Sequence, residues 1–470
     1  MESVSSIIVR ATSLWRCITT KGRWNWRRPN NSVPLSTMLN NIGYTYSLQG
    51  DYAQALDQYQ KSLTVAESLE EKSSVAFVLN NLGVNHRLQG SYLEALENLQ
   101  KSLSLREGLG DKWGMAETLI EMAKTHYLRH DYTRAVESTE RAIKLAKEIG
   151  DREKIWEALT QSGIAHRALD QLMQARAEFE EAISTIEVLR GSVAGDEQTQ
   201  QKVFAGKVSP YYEMVGLLID QGNPDEALAY AEYAKARVLL DVLRNGKVNI
   251  IRSMTAKEQD QEQVLRQTAF SLNTQISAER LRQKSDALRL TQLQNALQKA
   301  HLAQEDFQSR LFAAHPDLQI QRGQIPRFIV QNSGSLLPDS SIALLEYVVV
   351  NDKTYLFVLS RATDKAAVEV KVFVVPIKRS ELASKVESFR QKLAAHNLLI
   401  RESARGVYDL LLKPAQALLR NKSSLIIVPD DVLWELPFQA LVTESNHYLI
   451  EQSAISLCYA RCLPGARNIS

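Results

Sequence analysis

The chain has 470 residues, 44% apolar and 23% charged, with a formal net charge of +2. That length accommodates two or three domains, and the near-neutral balance excludes a global pull toward nucleic acid or an acidic membrane. No apolar run approaches the roughly 18–20 residues of a membrane helix. The three cysteines Cys17, Cys458 and Cys462 are too few for a disulfide framework. They suit a reducing compartment, so a cytoplasmic protein is expected.

Residues 1–35 carry six basic side chains and one acidic one, with two tryptophans in "KGRWNWRRPNN". A basic aromatic arm and a targeting peptide are two readings, but the apolar "IIV" is too short for a secretory core. The reading adopted is a disordered leader.

From Leu39 the sequence repeats. "LNNIGYTYSLQGDYAQAL" begins there, "LNNLGVNHRLQGSYLEAL" at Leu79, "LIEMAKTHYLRHDYTRAV" at Leu119 and "LTQSGIAHRALDQLMQAR" at Leu159, a period of 40. Gly43, Gly83, Ala123 and Gly163 are small, as are Ala55, Ala95, Ala135 and Ala175. Small residues at fixed places let two antiparallel helices approach closely. Gly50 and Gly90 suit a left-handed helix end between them. An offset fifth copy runs from Tyr211 to Leu243, with Gly222 at the turn and Ala227 at the small position, and is expected to close the array. The spacing resembles the tetratricopeptide repeat. Leu39, Ile42, Gly43 and Tyr46 match its first helix, and Ala55 and Tyr59 its second. The usual period is about 34, and six extra residues imply longer helices or connections, as in kinesin light chains. HEAT and armadillo repeats have periods near 40, but the glycine and alanine placement argues against them.

The resemblance implies a superhelix with a concave face lined by first helices. Its pattern assigns Asn40, Tyr44 and Ser47 to that face, then Asn80, Val84 and Arg87, then Ile120, Lys124 and Tyr127, then Thr160, Ile164 and Arg167. Of these, Asn40, Tyr44, Asn80, Arg87, Lys124, Tyr127 and Arg167 are the expected peptide-binding residues. Asparagine amides can bond an extended backbone through donor and acceptor alike. The three cations favour an acidic partner segment. A solvated face bound only by the rest of its own chain is the alternative.

Residues 255–313 contain no Gly or Pro and are rich in Gln, Leu, Ala, Lys and Arg. Leucines at helical spacing predict a long helical hairpin with its break near Ser285. It could dimerise as a coiled coil, but the heptads are not sustained, and packing within the chain is the reading adopted.

After Pro338 the pattern turns to strands. "IALLEYVVV" and "KTYLFVLS" form a hairpin around "ND", and "VEVKVFVV" is a third strand. A helix follows from Ser380, with Leu382, Val386, Phe389 and Leu393 on one face. "ARGVYDLLLKPAQALL" is another, kinked or restarted at Pro414. "LIIV" has the unbroken apolar character of a strand covered on both faces. Asp430 and Asp431 are expected in a solvated turn after it. "YLIEQSAISLCYA" supplies one or two short strands.

"AEYAKARVLLDVL", the strand pair, "VYDLLLKPAQALL" and "LIIVPDDVLWELPFQALV…YLIEQSAIS", in this order after the repeats, resemble the caspase-like CHAT domain that accompanies such repeats, mostly in bacteria. The resemblance, repeats included, spans roughly residues 39–460. Full-length members of that family are, or look like, cysteine peptidases, with a His-x-Ala-Thr-His-Gly-like segment after this region and a Ser-Ala-Cys-like one later. Neither occurs here, and the expectation is a truncated domain without its catalytic half.

Local substitutes are weak. Cys458 with His447 or His396 would make a thiol–imidazole pair, but Cys458 lies in an apolar strand and reads as a small hydrophobe. Cys458, Cys462 and His447 match no common zinc spacing and lack a fourth ligand. No phosphate-binding or dinucleotide-binding fingerprint is present. No catalytic residue, metal or cofactor is therefore assigned. The expected architecture is a leader at 1–35, a repeat array at 36–245, a helical linker or hairpin at 246–330 and an incomplete α/β domain at 338–470. The expected function is a scaffold binding protein or peptide, with neither nucleic acid nor membrane as partner. The oligomeric state stays open. The rival expectation is the front portion of a repeat-regulated cysteine endopeptidase.

Overall fold

A computed structural model describes residues 34–192, 207–243, 254–280, 287–315, 337, 339–361, 368–395 and 399–458. The leader, the expected break near Ser285, His396 and Cys462 lie outside the described residues. The chain divides into two compact units, residues 1–105 and 106–470.

In the first unit, α1 (Leu35–Leu48) pairs with α2 (Tyr52–Ser68), followed by α3 (Lys72–Leu88) and α4 (Tyr92–Leu109). The small positions do what their spacing requires. A Cβ on Gly43 would lie 2.8 Å from the Tyr59 ring, and one on Gly83 2.6 Å from Leu99 Cγ. Tyr59 and Leu99 are buried and fill the space the glycines leave. Ser62 Oγ donates to the Ser36 carbonyl (2.6 Å), and Ser102 Oγ repeats that bond to the Ala76 carbonyl (2.7 Å). Each first helix ends with a left-handed residue, Gly50 or Gly90. The next amide reaches back five residues, Asp51 to the Tyr46 carbonyl and Ser91 to the His86 carbonyl, a Schellman closure.

The second unit continues the pattern with α5 (Lys112–Leu128), α6 (Tyr132–Ile149), α7 (Arg152–Ala168) and α8 (Leu172–Ser192). Gly163 repeats the glycine contact, its Cβ position 2.5 Å from Phe179. In the third repeat Ala123 replaces glycine and the residue at the Phe179 position is the smaller Thr139, so the volumes compensate. The turn closure persists without glycine: His130 and Asp170 hold φ of +61°. The expected fifth copy is α9 (Ser209–Asp220) and α10 (Pro224–Leu243), with Gly222 left-handed and Ala227 buried.

The helical hairpin is α11 (Ala256–Arg280) and α12 (Ala287–Ala314). Met254, Phe307 and Leu311 form its core, Glu258 meets His315 Nε2 at 3.1 Å, and Gln294 donates to the Ile149 carbonyl (3.0 Å).

The sheet comprises β1 (Ile342–Val349), β2 (Thr354–Arg361), β3 (Val368–Val375), β4 (Ser424–Val428) and β5 (Ala454–Leu457). Its order is β3-β2-β1-β4-β5, antiparallel through β3, β2 and β1 and parallel from β1 to β4 to β5. Helices α13 (Arg379–Ala394) and α14 (Ile400–Leu411) lie in the crossover between β3 and β4. Leu345, Tyr347, Leu356, Val358, Leu425 and Ile427 face these helices in one core. Leu344, Val348, Tyr355, Phe357, Leu359 and Val428 face the other way, into a core shared with Phe179, Tyr211, Met214, Leu218 and Leu228.

The apolar side of the fifth repeat is the second cover of the sheet. Of the one or two short strands expected in "YLIEQSAISLCYA" one forms, β5; before it Glu451 accepts the Tyr448 amide (3.0 Å) and caps a helical turn at Leu449–Gln452. Asp430 is not in a solvated turn, since its carboxylate accepts the Val349 amide (2.8 Å) from within the sheet's cover. Pro414 marks a new start, at a 3₁₀ turn after α14 ends.

At the end of the second helix, Gly110 and Gly150 are left-handed, and Glu70 takes the equivalent φ of 52° with a Cβ. Glu70→Gly should raise first-unit stability by about 1 kcal/mol, the Cβ penalty less the entropy of glycine. Gly83→Ala should lower it by about 1–3 kcal/mol through overpacking against Leu99. Denaturant titration of both variants checks the pair.

Candidate peptide-binding face

The exposed side of the first helices is set by which residues their mutual packing consumes. Asn40, Asn80, Ile120 and Thr160 occupy one repeat position and are only 1–3% exposed. A place that takes isoleucine as readily as asparagine is a packing position. Asn40 Oδ1 accepts from Asn81 Nδ2 at 2.9 Å, which ties α1 to α3. Asn40 and Asn80 are therefore largely buried, Asn40 with its amide oxygen taken by Asn81. The amides nearer the surface stand one residue on, Asn41 exposed and Asn81 half-buried.

In the first unit, Tyr44 is 54% exposed, Phe77 is exposed, and Val84 and Arg87 are half-buried. A shallow cavity of about 180 Å³ opens between Thr37, Asn40, Ser73 and Phe77. Helix α1 has no charged residue, and the only charged or titratable side chains of α3 are Lys72, His86 and Arg87. This face offers amides, hydroxyls and two aromatic rings, with no carboxylate from either helix.

The second unit differs. Lys124 Nζ bonds Glu121 (2.7 Å) and Glu157 (3.0 Å), and Lys154 adds Glu157 (3.3 Å) and Glu117 (3.8 Å). Burial opposes the Lys124 charge, yet Glu121 and Glu157 outweigh it and hold the ammonium above its ordinary pKa. Burial likewise raises Glu157, and Lys124 with Lys154 overcomes it to give a net lowering. Arg167 bonds Asp220 through Nε (2.9 Å) and Nη2 (2.5 Å) and reaches Glu213 (3.4 Å). Its guanidinium and the Tyr355 hydroxyl crowd Gly216, at 2.7 and 2.9 Å from a Cβ there. Tyr127 stacks at a tilt on Tyr132, ring centroids 5.4 Å apart. Lys124 and Arg167 thus meet carboxylates of their own chain, and strand β2 stands beside Arg167.

Ser162, His166 and Glu178 are buried together, with Glu178 bonding both Ser162 Oγ (2.9 Å) and His166 Nδ1 (2.8 Å), and Ser162 Oγ standing 3.5 Å from His166 Nδ1. The three side chains satisfy one another inside the fourth repeat. Cys458 packs against the apolar core beneath the sheet, while His447 is exposed. No cluster of metal-ligating side chains occurs among the described residues. No helix among them is long and apolar enough to cross a membrane.

Comparison with known proteins accords with the repeat and strand patterns. Residues 34–108 match the tetratricopeptide repeat family, and residues 401–470 match the CHAT domain. No curated protein matches the chain. Among solved structures, TPR-like repeats of Podosopora anserina ascribed to a kinesin light chain are 13% identical, covering 45% of this chain and 96% of theirs, with a TM-score of 0.35. BtubC from P. vanneervenii is 15% identical over 45% of this chain and 81% of its own, with a TM-score of 0.37. The Rap conjugation gene regulator of plasmid pLS20, solved with the Phr* peptide, is 15% identical over 66% and 86%, with a TM-score of 0.35.

Replacing Lys124 with Met should cost about 1–2 kcal/mol, since it strands two half-buried carboxylates. The folded pKa of Glu157 lies below its unfolded value, so its contribution exists above the ordinary carboxylate range and is lost as pH falls through the folded pKa. The penalty of Lys124→Met should therefore shrink on acidification. Urea unfolding at pH 7 and pH 4 checks this, and an equal penalty at both would refute the network's charge.

Proposed function

We propose that this tetratricopeptide-repeat and CHAT-domain chain is a protein-interaction scaffold that holds an extended partner segment on the first-helix face of its first two repeats. The observation that carries the reading is the contrast in charge. The Lys124 and Arg167 surfaces are neutralised by Glu121, Glu157, Glu213 and Asp220, whereas α1 and α3 present uncharged amides and the exposed rings of Tyr44 and Phe77. Asn41 and Asn81 would bond the partner's backbone, and Tyr44 and Phe77 would take its apolar side chains. Lys72 and Arg87 supply the only fixed positive charges of the two helices, which favours a partner that is neutral to acidic.

The reading is of a non-catalytic chain. A thiol nucleophile needs an imidazole within hydrogen-bond reach, and Cys458 lies against an apolar core while His447 is turned to solvent. The CHAT match leaves a cysteine-endopeptidase rival from another class, in which the repeats regulate cleavage. Incubation of the purified chain with a mixed peptide library, read by mass spectrometry, separates the two. Intact peptides accord with the scaffold, and thiol-blockable cleavage would overturn it.

The face itself is tested by peptide display on the full chain. Selected peptides should lose about tenfold or more in affinity against Tyr44→Ala combined with Asn81→Ala, as expected for removing an aromatic anchor. They should bind Arg167→Ala as they bind the parent. Undiminished binding to the double variant, with its helical circular dichroism intact, would sink the assignment.

A further inference from the structure

Strand β3 is one end of the sheet, and the hairpin on the far side of β2 fixes which of its backbone groups face outward. The Val350 amide donates to the Lys353 carbonyl at 3.0 Å, so residues 350 and 353 are a bonded pair at the turn. Bonded and non-bonded pairs alternate along an antiparallel ladder. Tyr355, Phe357 and Leu359 therefore turn their backbone groups to β1, and Leu356, Val358 and Ser360 turn theirs to β3. These last three lie opposite Phe373, Lys371 and Glu369, whose amides and carbonyls β2 takes up. The amides and carbonyls of Val368, Val370, Val372 and Val374 point away from the sheet, and no backbone group meets them among the described residues.

The side chains of β3 also alternate. Val368, Val370 and Val372 pack, half-buried, on the core shared with the repeats. Glu369 and Lys371 stand on the other face, both exposed, and neither has an ion-pair partner among the described residues. An eight-residue edge strand without proline or bulge is a template for another strand, and proteins commonly guard such edges with charge. Here the charges guard selectively. Two copies of β3 meeting antiparallel across a twofold axis must set outward-facing residues opposite one another. Centred on Val370, that pairing places Val370 against Val370, Val368 against Val372, and Glu369 against Lys371 on both sides of the axis. Centred on Glu369 or Lys371, it places like charges against each other, and centred on Val372 it places both charges against apolar residues. Opposite charges directly across a strand pair attract and like charges repel, so one alignment is selected. Its Glu369–Lys371 pairs fall at non-bonded positions, where side chains come closest. The opposite edge, β5, has four residues, Ala454–Leu457, none of them charged.

We propose that the chain forms a twofold dimer through β3, with Val370 at the axis and the two five-stranded sheets joined into one. The partner is a second copy of this chain, held by backbone hydrogen bonds and fixed in alignment by two Glu369–Lys371 pairs. Such an interface is isologous and closes on itself. A strand pairing this short buries less surface than a standard interface, so the dimer should dissociate at about 1–100 µM.

Sedimentation velocity on the full chain, across about 1–200 µM, should therefore show a monomer–dimer equilibrium. Lys371→Glu and Glu369→Lys each turn both attractions into repulsions and should weaken the dimer by about tenfold or more. Both reversals in one chain restore opposite charges across the axis and should restore the dimer. That recovery is specific to this pairing, since each residue alone is an exposed charge with no partner to lose. Val370→Pro removes an amide that β2 does not use and should abolish the dimer while circular dichroism stays unchanged. If that variant fails to fold, the charge reversals at exposed positions decide. A monomer throughout the range overturns the proposal, and so does a dimer indifferent to the single reversals. Species larger than a dimer that grow with concentration would mean head-to-tail pairing of β3 with β5, and would refute it equally.

Discussion

A sheet with two apolar faces must be covered twice, and this requirement organises the larger part of the molecule. Helices α13 and α14 cover one face, as crossover helices commonly do. The other is covered by α8, α9 and α10, which belong to the repeats by sequence pattern and to the sheet by packing. Phe179 shows the double duty: its ring fills the space left by Gly163 within a repeat and lies in the core that reaches Phe357 of β2. Repeats three to five and the sheet therefore belong to one compact unit, residues 106–470.

The same packing distributes polarity. Where helices are buried on several sides, charged residues persist only with partners, and Lys124, Lys154, Arg167 and Lys235 each stand against carboxylates of the chain. Lys235 is the extreme case, since its partner Glu346 has no exposure at all. Removing one member of such a pair is far costlier than the net gain from forming it, so these pairs specify geometry more than they add stability. In α1 and α3 the first-helix face is built largely of amides and aromatic rings, with Asn41, Tyr44 and Phe77 exposed. A scaffold reading follows from that difference in chemistry rather than from the repeat alone, because repeats of one fold carry many functions.

Backbone conformation is governed locally and repeats with the sequence. Left-handed closures recur every 40 residues at Gly50, Gly90, His130 and Asp170, and at Glu70, Gly110 and Gly150. Some of these positions have lost glycine while keeping the conformation. The hydrogen bonds of the closure, together with packing on either side, over-determine the turn and tolerate the Cβ strain.

By itself the sequence determined the helix pairs, their turns, the hairpin and the strand order along the chain, because each rests on interactions within a few residues: glycine at left-handed ends, small residues facing large ones, alternation and apolar runs. It also placed Tyr44 on a first helix. The tertiary structure decided what each face meets. Asn40 and Asn80 read as ligand-facing, yet both are buried and the neighbouring helix takes the Asn40 amide oxygen. Asp430 read as a solvated turn, yet strands and helices distant in sequence enclose it. Lys235 and Glu346 are separated by more than a hundred residues, and no local pattern announces their meeting. The lone acid in "IALLEYVVV" was the one visible sign, since a buried charge requires a counterpart that only the folded chain can supply.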